Sequence, residues 1–242
     1  MGLSLSRLGF GAAPIAGLYT PVDDDTAAAT VDAAWDAGVR SFDTAPHYGL
    51  GRSETRLGRA LRGRPRDEYA VSTKAGRVLV PAAGGGSDEA DGFAVSATHR
   101  RVWDYSRDGI RRSLDDSLRR LGLDRVDLLY LHDPENRMAE ARNTAIPALT
   151  ELRDEGAVTA VGVGSKDAAA LTTLVGDGGL DAVMVAGRYT LLEQPALDAL
   201  FPACEAAGVA VVAAGIFNSG LLATAAPDPN STYEYGAVPP TC

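Results

Sequence analysis

Three apolar segments of the sequence end in side chains that can hold or pass on a proton. Asp43 ends the first segment, SFD, and Tyr48 follows it closely in the next loop. Lys74 ends the second segment, AVSTK, and His132 ends the third, LLYLH. In parallel β/α folds the carboxyl ends of neighbouring strands meet at one face, and functional residues collect there. These four side chains are therefore the candidate catalytic group.

The chemistry that this group favours is proton transfer to or from an oxygen atom. A phenol has a pKa of about 10 and exchanges protons poorly at neutral pH, but a nearby ammonium lowers that pKa by stabilising the phenolate. We expect Lys74 to act on Tyr48 in this way, and Asp43 to keep the ammonium charged. His132 would donate a hydrogen bond that orients a substrate oxygen. A hydride must come from a cofactor, because no side chain carries one.

Lysine is nearly absent elsewhere in the chain. Of the 23 basic residues only Lys74 and Lys166 are lysines, and the remainder are arginines. Lysine is a compact charge whose pKa responds to its surroundings, a role in which arginine cannot replace it. Taken singly, a strand-end Asp, Lys or His is often a salt-bridge or packing residue, and a loop Tyr usually packs. All four together favour a catalytic group.

The elements that position these residues follow an alternating pattern. Strands are predicted at residues 7–11, 39–43, 69–74, 125–132, 157–163, 182–186 and 209–213. Helices are predicted at residues 25–37, 51–62, 107–121 and 167–175. A further helix is predicted to end near Gly156, and another to extend from Pro195 to about Gly208. Between the strand at 69–74 and the helix at 107–121, residues 75–106 are expected to form a long glycine-rich connection. The final stretch of the chain shows no clear period.

Alternating strands and helices indicate an α/β protein with a parallel sheet. The chain shows no break in composition, so we predict one domain over residues 1–242. Its seven visible strands predict a (β/α)8 TIM barrel that is incomplete, since no eighth strand is visible. A doubly wound sheet is the competing arrangement, and it usually carries a glycine-rich phosphate loop after its first strand. Residues 9–14, GFGAAP, lack the third glycine of that loop, which favours the barrel.

Composition narrows the classes of partner. The net charge of −9 argues against non-specific binding to nucleic acid or to an anionic membrane. No apolar run approaches the ~20 residues that span a bilayer, and the N-terminus lacks a signal-peptide pattern. The two cysteines, Cys204 and Cys242, predict neither a disulfide framework nor a cysteine metal site. We expect a cytoplasmic protein that is a monomer or a weak homo-oligomer.

Several stretches together resemble the aldo-keto reductase superfamily. They are RLGFGAAP (7–14), FDTAPHYG (42–49) followed by SE (53–54), VSTKAGR (71–77), SLDDSLRRLGLDRVDLLYLHD (113–133) and AVGVGS (160–165). The resemblance implies a (β/α)8 barrel that binds NADP or NAD across its mouth without a Rossmann motif. It also implies a catalytic tetrad, which maps onto Asp43, Tyr48, Lys74 and His132.

Within the superfamily, AGRYTLLEQ (186–194) and GIFNSGLLA (215–223) resemble a branch that acts on sugars and related aldehydes. This implies oxidation of a sugar at C1 to a lactone, with a small sugar or aldehyde as the substrate. The resemblance further implies cofactor contacts along the chain and in the loop 215–220, whose backbone N–H groups would cradle the pyrophosphate. The residues implied are Gly11, Ala12, Asp43, Ser165, Gly215, Phe217, Asn218 and Ser219.

The chain departs from the superfamily at several places. Ala186 stands where most members have a glutamine that holds the nicotinamide, and Ala214 stands where an aromatic residue usually stacks on it. Phe217 is expected to substitute for that aromatic residue. Members also continue beyond the position of Cys242, and only half of the N-terminal hairpin is present, as GLSLS (2–6). With PPTC (239–242) adding no element, we expect marginal stability, because seven strands leave an open edge. We also expect weak cofactor binding, because the loop that grips the adenosine end in other members would lie in the missing part.

Other functions are less well supported by the residues. A metal-dependent hydrolase is disfavoured because His47, His99 and His132 show no metal-binding spacing. A short-chain dehydrogenase is excluded, since no tyrosine is followed by lysine four residues later. An inactive fragment of the superfamily remains the alternative. The 75–106 connection is expected to cover the pocket, and its Trp103 and Tyr105 would either stack on a sugar or pack on the rim.

Overall fold

The computed structural model describes residues 3–83, 85–226, 231–234 and 236–237. Strands form near every position at which the sequence predicts one, and additional short strands lie in the 75–106 connection and after residue 230. In chain order the strands are β1 (Gly9–Gly11), β2 (Ser41–Asp43), β3 (Ala70–Ala75), β4 (Arg77–Pro81), β5 (Ser87–Asp88), β6 (Phe93–Ser96), β7 (His99–Trp103), β8 (Val126–His132), β9 (Val158–Ser165), β10 (Ala182–Ala186), β11 (Ala210–Ala214), β12 (Thr232–Tyr233) and β13 (Gly236–Ala237).

Helices alternate with the long strands. The α-helices of the described residues are α1 (Asp24–Asp36), α2 (Arg52–Leu61), α3 (Arg107–Leu121), α4 (Met138–Glu140), α5 (Ile146–Asp154), α6 (Ala168–Asp177) and α7 (Leu200–Ala207). A π-helical turn at Ala141–Ala145 joins α4 to α5. Short 3-10 helices lie at Pro14–Ala16, Arg66–Glu68, Glu89–Asp91, Pro195–Leu197 and Asn218–Ala223.

The chain divides into two compact units. The first unit contains Met1–His132 and Ala139–Val161, and the second contains Asp133–Met138 and Gly162–Cys242. In the first unit the parallel strands follow the order β1-β2-β3-β8 and then the beginning of β9. In the second, the end of β9 is followed by β10 and β11. The described residues therefore contain seven parallel strands, as the sequence predicts, whereas a single domain over residues 1–242 stays a prediction.

Strand register in the first unit brings the candidate residues to one edge of the sheet. Gly11 of β1 pairs with Asp43 of β2, and Asp43 pairs with Ser72 of β3. Two residues further along β3, Lys74 pairs with Tyr130 of β8, and His132 ends β8. Strand β8 is buried at all its positions except Asp127, as expected for a parallel strand covered on both faces.

Helix α3 shows why sequence pattern and structure agree well in places. Its N-cap, Ser106, accepts a hydrogen bond from the Gly109 N–H at 3.0 Å, and Gly122 ends the helix in the left-handed conformation. Ile110 and Leu114 lie on its buried face. Local capping and a regular apolar stripe thus define both ends, and the helix occupies residues 107–121 as predicted.

The structure differs from the sequence prediction in the connection at 75–106. It contains two antiparallel strand pairs, β4 with β7 and β5 with β6. In the first pair Arg77 lies opposite Trp103 and Val78 lies opposite Val102. The sequence does not predict this pairing. The glycines at the centre of the segment indicate an irregular connection, whereas the strands that pair lie near its two ends.

Two further differences lie in the second unit. The helix predicted from Pro195 is interrupted, because Ala199 has a backbone φ of −132° and α7 begins only at Leu200. The short strands β12 and β13 pair in the last part of the chain, where no pattern was predicted. PPTC (239–242) and the first residue of GLSLS (2–6) lie outside the described residues. Among the residues that are described, no helix is both long and apolar enough to cross a membrane.

Candidate active site

A buried lysine lies at the centre of the candidate catalytic group. Lys74 is 2% exposed, and its Nζ donates to Asp43 Oδ2 at 2.6 Å and to the Thr44 carbonyl oxygen at 2.9 Å. The other carboxylate oxygen, Asp43 Oδ1, accepts a hydrogen bond from Ser72 Oγ at 2.7 Å. Burying an ammonium costs free energy unless it is paired and hydrogen-bonded, and these contacts meet that condition.

The same contacts keep the ammonium charged. Burial is the largest single effect on Lys74 and lowers its pKa, but the charges of Asp43 and Tyr48 and hydrogen bonds to both side chains raise it more. The pKa of Lys74 therefore lies above its ordinary value. This is the arrangement in which an ammonium can stabilise a phenolate.

Tyr48 lies beside this ammonium, in the loop that follows β2. Lys74 Nζ hydrogen-bonds with the Tyr48 side chain and lies 4.9 Å from the centroid of its ring. The Tyr48 N–H donates to the Ala45 carbonyl at 3.1 Å, which holds the loop in a turn. The tyrosine side chain remains partly exposed, whereas its lysine partner is buried. A phenol so placed can exchange a proton with a substrate oxygen.

His132 completes the group. Its ring packs edge-on against Tyr48, with 6.0 Å between ring centroids, and the residue is 5% exposed. Burial, and then the positive charges of Arg77 and Lys74, lower the pKa of His132 well below its usual range. The imidazole is therefore neutral and has one N–H to donate. The structure thus brings together Asp43, Tyr48, Lys74 and His132, which are called the tetrad below.

Buried polar groups that were not predicted from the sequence support strand β3 at Thr73, the neighbour of Lys74. Glu54 is fully buried; its Oε1 accepts from Thr73 Oγ1 at 2.7 Å, and its Oε2 accepts from Arg120 Nε at 2.5 Å. A glutamate on the buried side of α2 was the available signal, since a buried carboxylate needs a partner. Tyr105 is also buried, and its hydroxyl donates to the His132 carbonyl at 3.1 Å. Tyr105 is thus a support beneath the tetrad and is not exposed for stacking on a sugar.

Gly11 and Ala12, predicted to contact a cofactor, lie at the end of β1 in the same unit. The Ala12 N–H donates to the Asp43 carbonyl at 2.8 Å, and the Ala12 carbonyl accepts from Ser53 Oγ at 2.7 Å. Both backbone groups of Ala12 are therefore engaged within the protein. Gly11 is exposed and could still contact a ligand through its backbone.

The second unit carries a separate cleft of about 250 Å³, including space open to solvent. Its glycine residues, its small side chains and its one lysine are typical of sites that approach phosphate groups closely. We call this the glycine cleft; it is lined by Lys166, Ala186, Gly187, Gly215, Asn218, Ser219 and Glu234.

Gly215 and the following turn shape the glycine cleft. Gly215 has a φ of +61°, and a Cβ atom there would lie 3.2 Å from the Gly187 nitrogen, so a side chain is disfavoured twice over. Phe217, with φ −94° and ψ 10°, precedes Asn218, with φ +48°. A right-handed residue followed by a left-handed one turns successive N–H groups toward one side, which suits an anion.

One buried atom in the glycine cleft lacks a partner. Asn218 is 4% exposed, and its Nδ2 donates to Glu193 Oε1 at 3.3 Å, but no described residue hydrogen-bonds with its Oδ1. Buried polar atoms are nearly always satisfied, and Asn218 Oδ1 can only accept, so it fits a ligand group that donates, such as a sugar hydroxyl. The glycine backbone and Lys166, by contrast, suit the phosphate part of a dinucleotide.

Ion pairs cross the glycine cleft as well. Glu234 accepts from Arg188 Nη1 at 2.6 Å and from Arg188 Nη2 at 3.0 Å, and Lys166 Nζ lies 3.4 Å from Glu234 Oε2. Burial raises the pKa of Glu234, but hydrogen bonds and charge from Arg188, together with Lys166, bring it below its usual value. Lys166 is one of the two lysines in the sequence, and this rarity of lysine already distinguished the position.

The remaining predicted cofactor residues have different environments. Ser165 is buried, its Oγ donates to Glu135 Oε2 at 2.8 Å, and it accepts from the Asp167 N–H at 2.9 Å. Phe217 is 56% exposed and does not line the glycine cleft. An exposed ring remains available for stacking, whereas Ser165 already has two partners. No group of three or more possible metal ligands occurs among the described residues.

A sequence model of the aldo/keto reductase family matches residues 7–235. The chain belongs to the aldo/keto reductase family. It is 52% identical over 242 residues to D-threo-aldose 1-dehydrogenase from Pseudomonas sp, an alignment covering 98% of this chain and 74% of that enzyme. It is 39% identical to pyridoxal 4-dehydrogenase from Microbacterium luteolum, covering 92% and 70%. It is 34% identical to L-galactose dehydrogenase from Arabidopsis thaliana, covering 93% and 66%.

A solved aldo-keto reductase shares the fold. The holo form of the enzyme from Bacillus halodurans superposes with a TM-score of 0.72 at 28% identity, covering 94% of this chain and 67% of that one. The predicted (β/α)8 barrel class is therefore confirmed, as are the predicted superfamily and the predicted resemblance to the branch that contains these three relatives. As an aldo/keto reductase, the chain is an oxidoreductase that uses a nicotinamide cofactor.

Proposed function

We propose that this aldo/keto reductase oxidises an aldose at C1 to a lactone, with NAD or NADP as the acceptor. The observation that carries the proposal is the tetrad geometry: a buried ammonium at 2.6 Å from the Asp43 carboxylate and hydrogen-bonded with Tyr48. The similarity to enzymes named D-threo-aldose 1-dehydrogenase and L-galactose dehydrogenase supports a sugar substrate. An inactive fragment is disfavoured, because a scaffold without catalysis has no need of this buried Lys74–Asp43 pair.

The chain's own residues perform the proton chemistry. The C1 hydroxyl of the sugar binds between the Tyr48 oxygen and the neutral His132 ring, whose N–H orients the substrate oxygen. Tyr48 removes the hydroxyl proton, and Lys74 stabilises the negative charge that Tyr48 carries before the transfer. When bound, the nicotinamide supplies the acceptor for the hydrogen and electron pair that leave C1. The C1–O bond becomes a carbonyl, and the proton passes from Tyr48 to solvent.

For the cofactor, the residues proposed are those of the sequence prediction, with the glycine cleft as their centre. Gly215 and Ser219 would hold phosphate oxygens through backbone N–H groups, and the Asn218 Oδ1 would accept a hydrogen bond from a hydroxyl group of the dinucleotide. Lys166 would add a positive charge that favours the same oxygens. Phe217 would stack on a flat ring of the dinucleotide, and Ser165 would contact it only by exchanging a present partner.

The wider setting is proposed on composition. A net charge of −9 supports a small-molecule substrate and no nucleic-acid partner. Cys204 is a buried, unpaired thiol, which supports a cytoplasmic location. We propose one domain over residues 1–242 that acts as a monomer or weak homo-oligomer, and sedimentation of the purified chain would measure this state.

The decisive test is an assay of the purified chain with a panel of aldoses. Formation of reduced nicotinamide is followed with NAD and with NADP in parallel, which also identifies the preferred dinucleotide. Tyr48→Phe should lower kcat by about 10²–10⁴-fold, because the ring remains and only the proton acceptor is lost. Cofactor affinity, measured by fluorescence titration, and the melting temperature should stay close to those of the unchanged chain. Equal turnover by the Tyr48→Phe variant would remove the mechanism.

A further inference from the structure

A hairpin in the first unit brings two arginines to the residue before Tyr48. Strands β4 and β7 pair so that Arg77 and Arg101 both reach His47. Arg101 Nη2 donates to the His47 carbonyl at 2.7 Å. The same guanidinium is held by Asp88 at 2.6 and 2.7 Å and by Asp91 at 2.7 Å. The backbone of His47 is therefore fixed by a network of charged groups that has no part in the tetrad.

The second arginine determines which ring nitrogen of His47 carries the proton. Arg77 Nη1 lies 3.3 Å from His47 Nδ1. A guanidinium has no acceptor, so Arg77 must donate and Nδ1 must be the unprotonated nitrogen. Burial, followed by the charges of Arg77 and Arg101, lowers the pKa of His47 to about 2. His47 is therefore neutral and carries its single N–H on Nε2.

The His47 ring lies next to the reactive groups. Its centroid is 5.6 Å from that of His132 and 6.1 Å from that of Tyr48, both with edge-on geometry. It also packs edge-on against Phe93 at 5.7 Å. A substrate oxygen held by Tyr48 and His132 places the next atoms of the substrate within reach of this ring.

A purely structural role does not account for the polar character of the position. A phenylalanine would make similar ring contacts with its aromatic neighbours and would not need a half-buried guanidinium as a partner. Burying a polar ring and a charge against it costs free energy, which an apolar ring avoids. What His47 adds over phenylalanine is a directed hydrogen-bond donor.

We propose that His47 is a specificity-determining residue whose Nε2–H donates to the hydroxyl on the carbon next to the reacting carbon, and that Arg77 is the positioning residue that sets this tautomer. The substrate class is then α-hydroxy aldehydes and the cyclic forms of aldoses. The inference rests on the proposed function for the location of the reacting oxygen. A site that hydrogen-bonds a substrate hydroxyl discriminates against analogues that lack it.

The test compares two aldehydes that differ in their hydroxyl groups. Reduction of glyceraldehyde and of propanal is measured for the unchanged chain and for His47→Phe, His47→Gln and His99→Phe. In His47→Phe the ratio of kcat/KM for glyceraldehyde to that for propanal should fall at least about tenfold, which corresponds to ~1.4 kcal/mol. His47→Gln keeps a donor near the position of Nε2 and should restore most of the ratio. His99→Phe removes a histidine ring from β7, outside the tetrad, and should leave the ratio unchanged.

A spectroscopic measurement tests the tautomer without turnover. Long-range ¹⁵N–¹H correlation spectra of the ¹⁵N-labelled chain should show His47 with its proton on Nε2, and Arg77→Met should shift part of the population to Nδ1–H. A proton on Nδ1 in the unchanged chain would overturn the inference, as would an equal loss for both aldehydes in His47→Phe. If no aldose is oxidised, the proposed function fails, yet the glyceraldehyde-to-propanal ratio still decides the role of His47.

Discussion

The tetrad in the first unit and the glycine cleft in the second hold their charged groups in opposite ways. The Lys74 side chain is 3% exposed and is held by Asp43 of β2 and by the Thr44 carbonyl that follows it. The Lys166 side chain is 43% exposed and is paired with Glu234 at 3.4 Å. Buried pairs respond strongly to the loss of one partner, whereas exposed pairs contribute little. The tetrad is thus set before any ligand binds, while the glycine cleft can exchange its ion pairs for a ligand.

The two lysines provide the sharpest test of this difference. Lys74→Met leaves the Asp43 carboxylate without its cation and Tyr48 without its ammonium, so kcat should fall by about 10³-fold. Lys166→Met, a matched change, should leave kcat nearly unchanged and weaken cofactor binding only about threefold, as expected for an exposed charge. Steady-state kinetics and a fluorescence titration of both variants measure the two effects. Similar losses of kcat in both variants would show that the buried and the exposed lysine do not differ in their effect on catalysis.

The contrast also explains what the sequence could predict. The tetrad could be predicted because Asp43, Lys74 and His132 end apolar segments, and strand ends converge in any parallel β/α fold. Helix α3 could be predicted because its caps and its apolar stripe are local in sequence. The hairpin of β4 and β7 could not be predicted, since its pairing depends on residues 18 to 26 positions apart across a glycine-rich stretch.

Partners distant in sequence were equally hidden. Nothing near Glu54 indicates that Arg120 and Thr73 will contact it, because those contacts arise only when α2, α3 and β3 pack together. The same holds for Arg188 and Glu234 in the second unit. Residue type and the ends of helices and strands can be predicted from the sequence, whereas these hydrogen bonds and ion pairs depend on tertiary packing.

Glu54 tests how far the rigidity of the tetrad depends on its support. Glu54→Gln keeps the shape but leaves Arg120 facing a neutral amide, so the free energy of unfolding should fall by about 3 kcal/mol, the loss typical of a broken buried pair. The residual activity of folded protein should remain within a few-fold, because Glu54 contacts neither Lys74 nor Tyr48 directly. Urea denaturation measures the stability, and Asp124→Asn, at an exposed acid, serves as the control. A loss below that of the control would show that the buried pair contributes nothing.

Acid should destabilise the first unit before most carboxylates titrate. The pKa values of His47 and His132 are lowered from 6.5 in the folded chain, so below that pH the unfolded chain binds protons that the folded chain does not. Stability is therefore present above the unfolded pKa and is lost as the pH falls, by about 1 kcal/mol per histidine between pH 6.5 and pH 5.5. Urea denaturation at both values measures the loss, and His47→Phe should remove about half of it. A flat profile over this range would contradict histidines that stay neutral in the folded chain.

The smallest expected effect lies in the glycine cleft. The Glu234 carboxylate contacts both Arg188 and Lys166, the two cations that a cofactor phosphate would use in its place. Glu234→Gln should therefore tighten cofactor binding about threefold, because partly exposed ion pairs are worth at most ~1 kcal/mol. The gain should shrink at high salt, which screens the same charges. Asp198→Asn, at an exposed acid in the same unit that contacts neither cation, provides the control. If Glu234→Gln weakened binding, the carboxylate would be a part of the site and not a competitor for its cations.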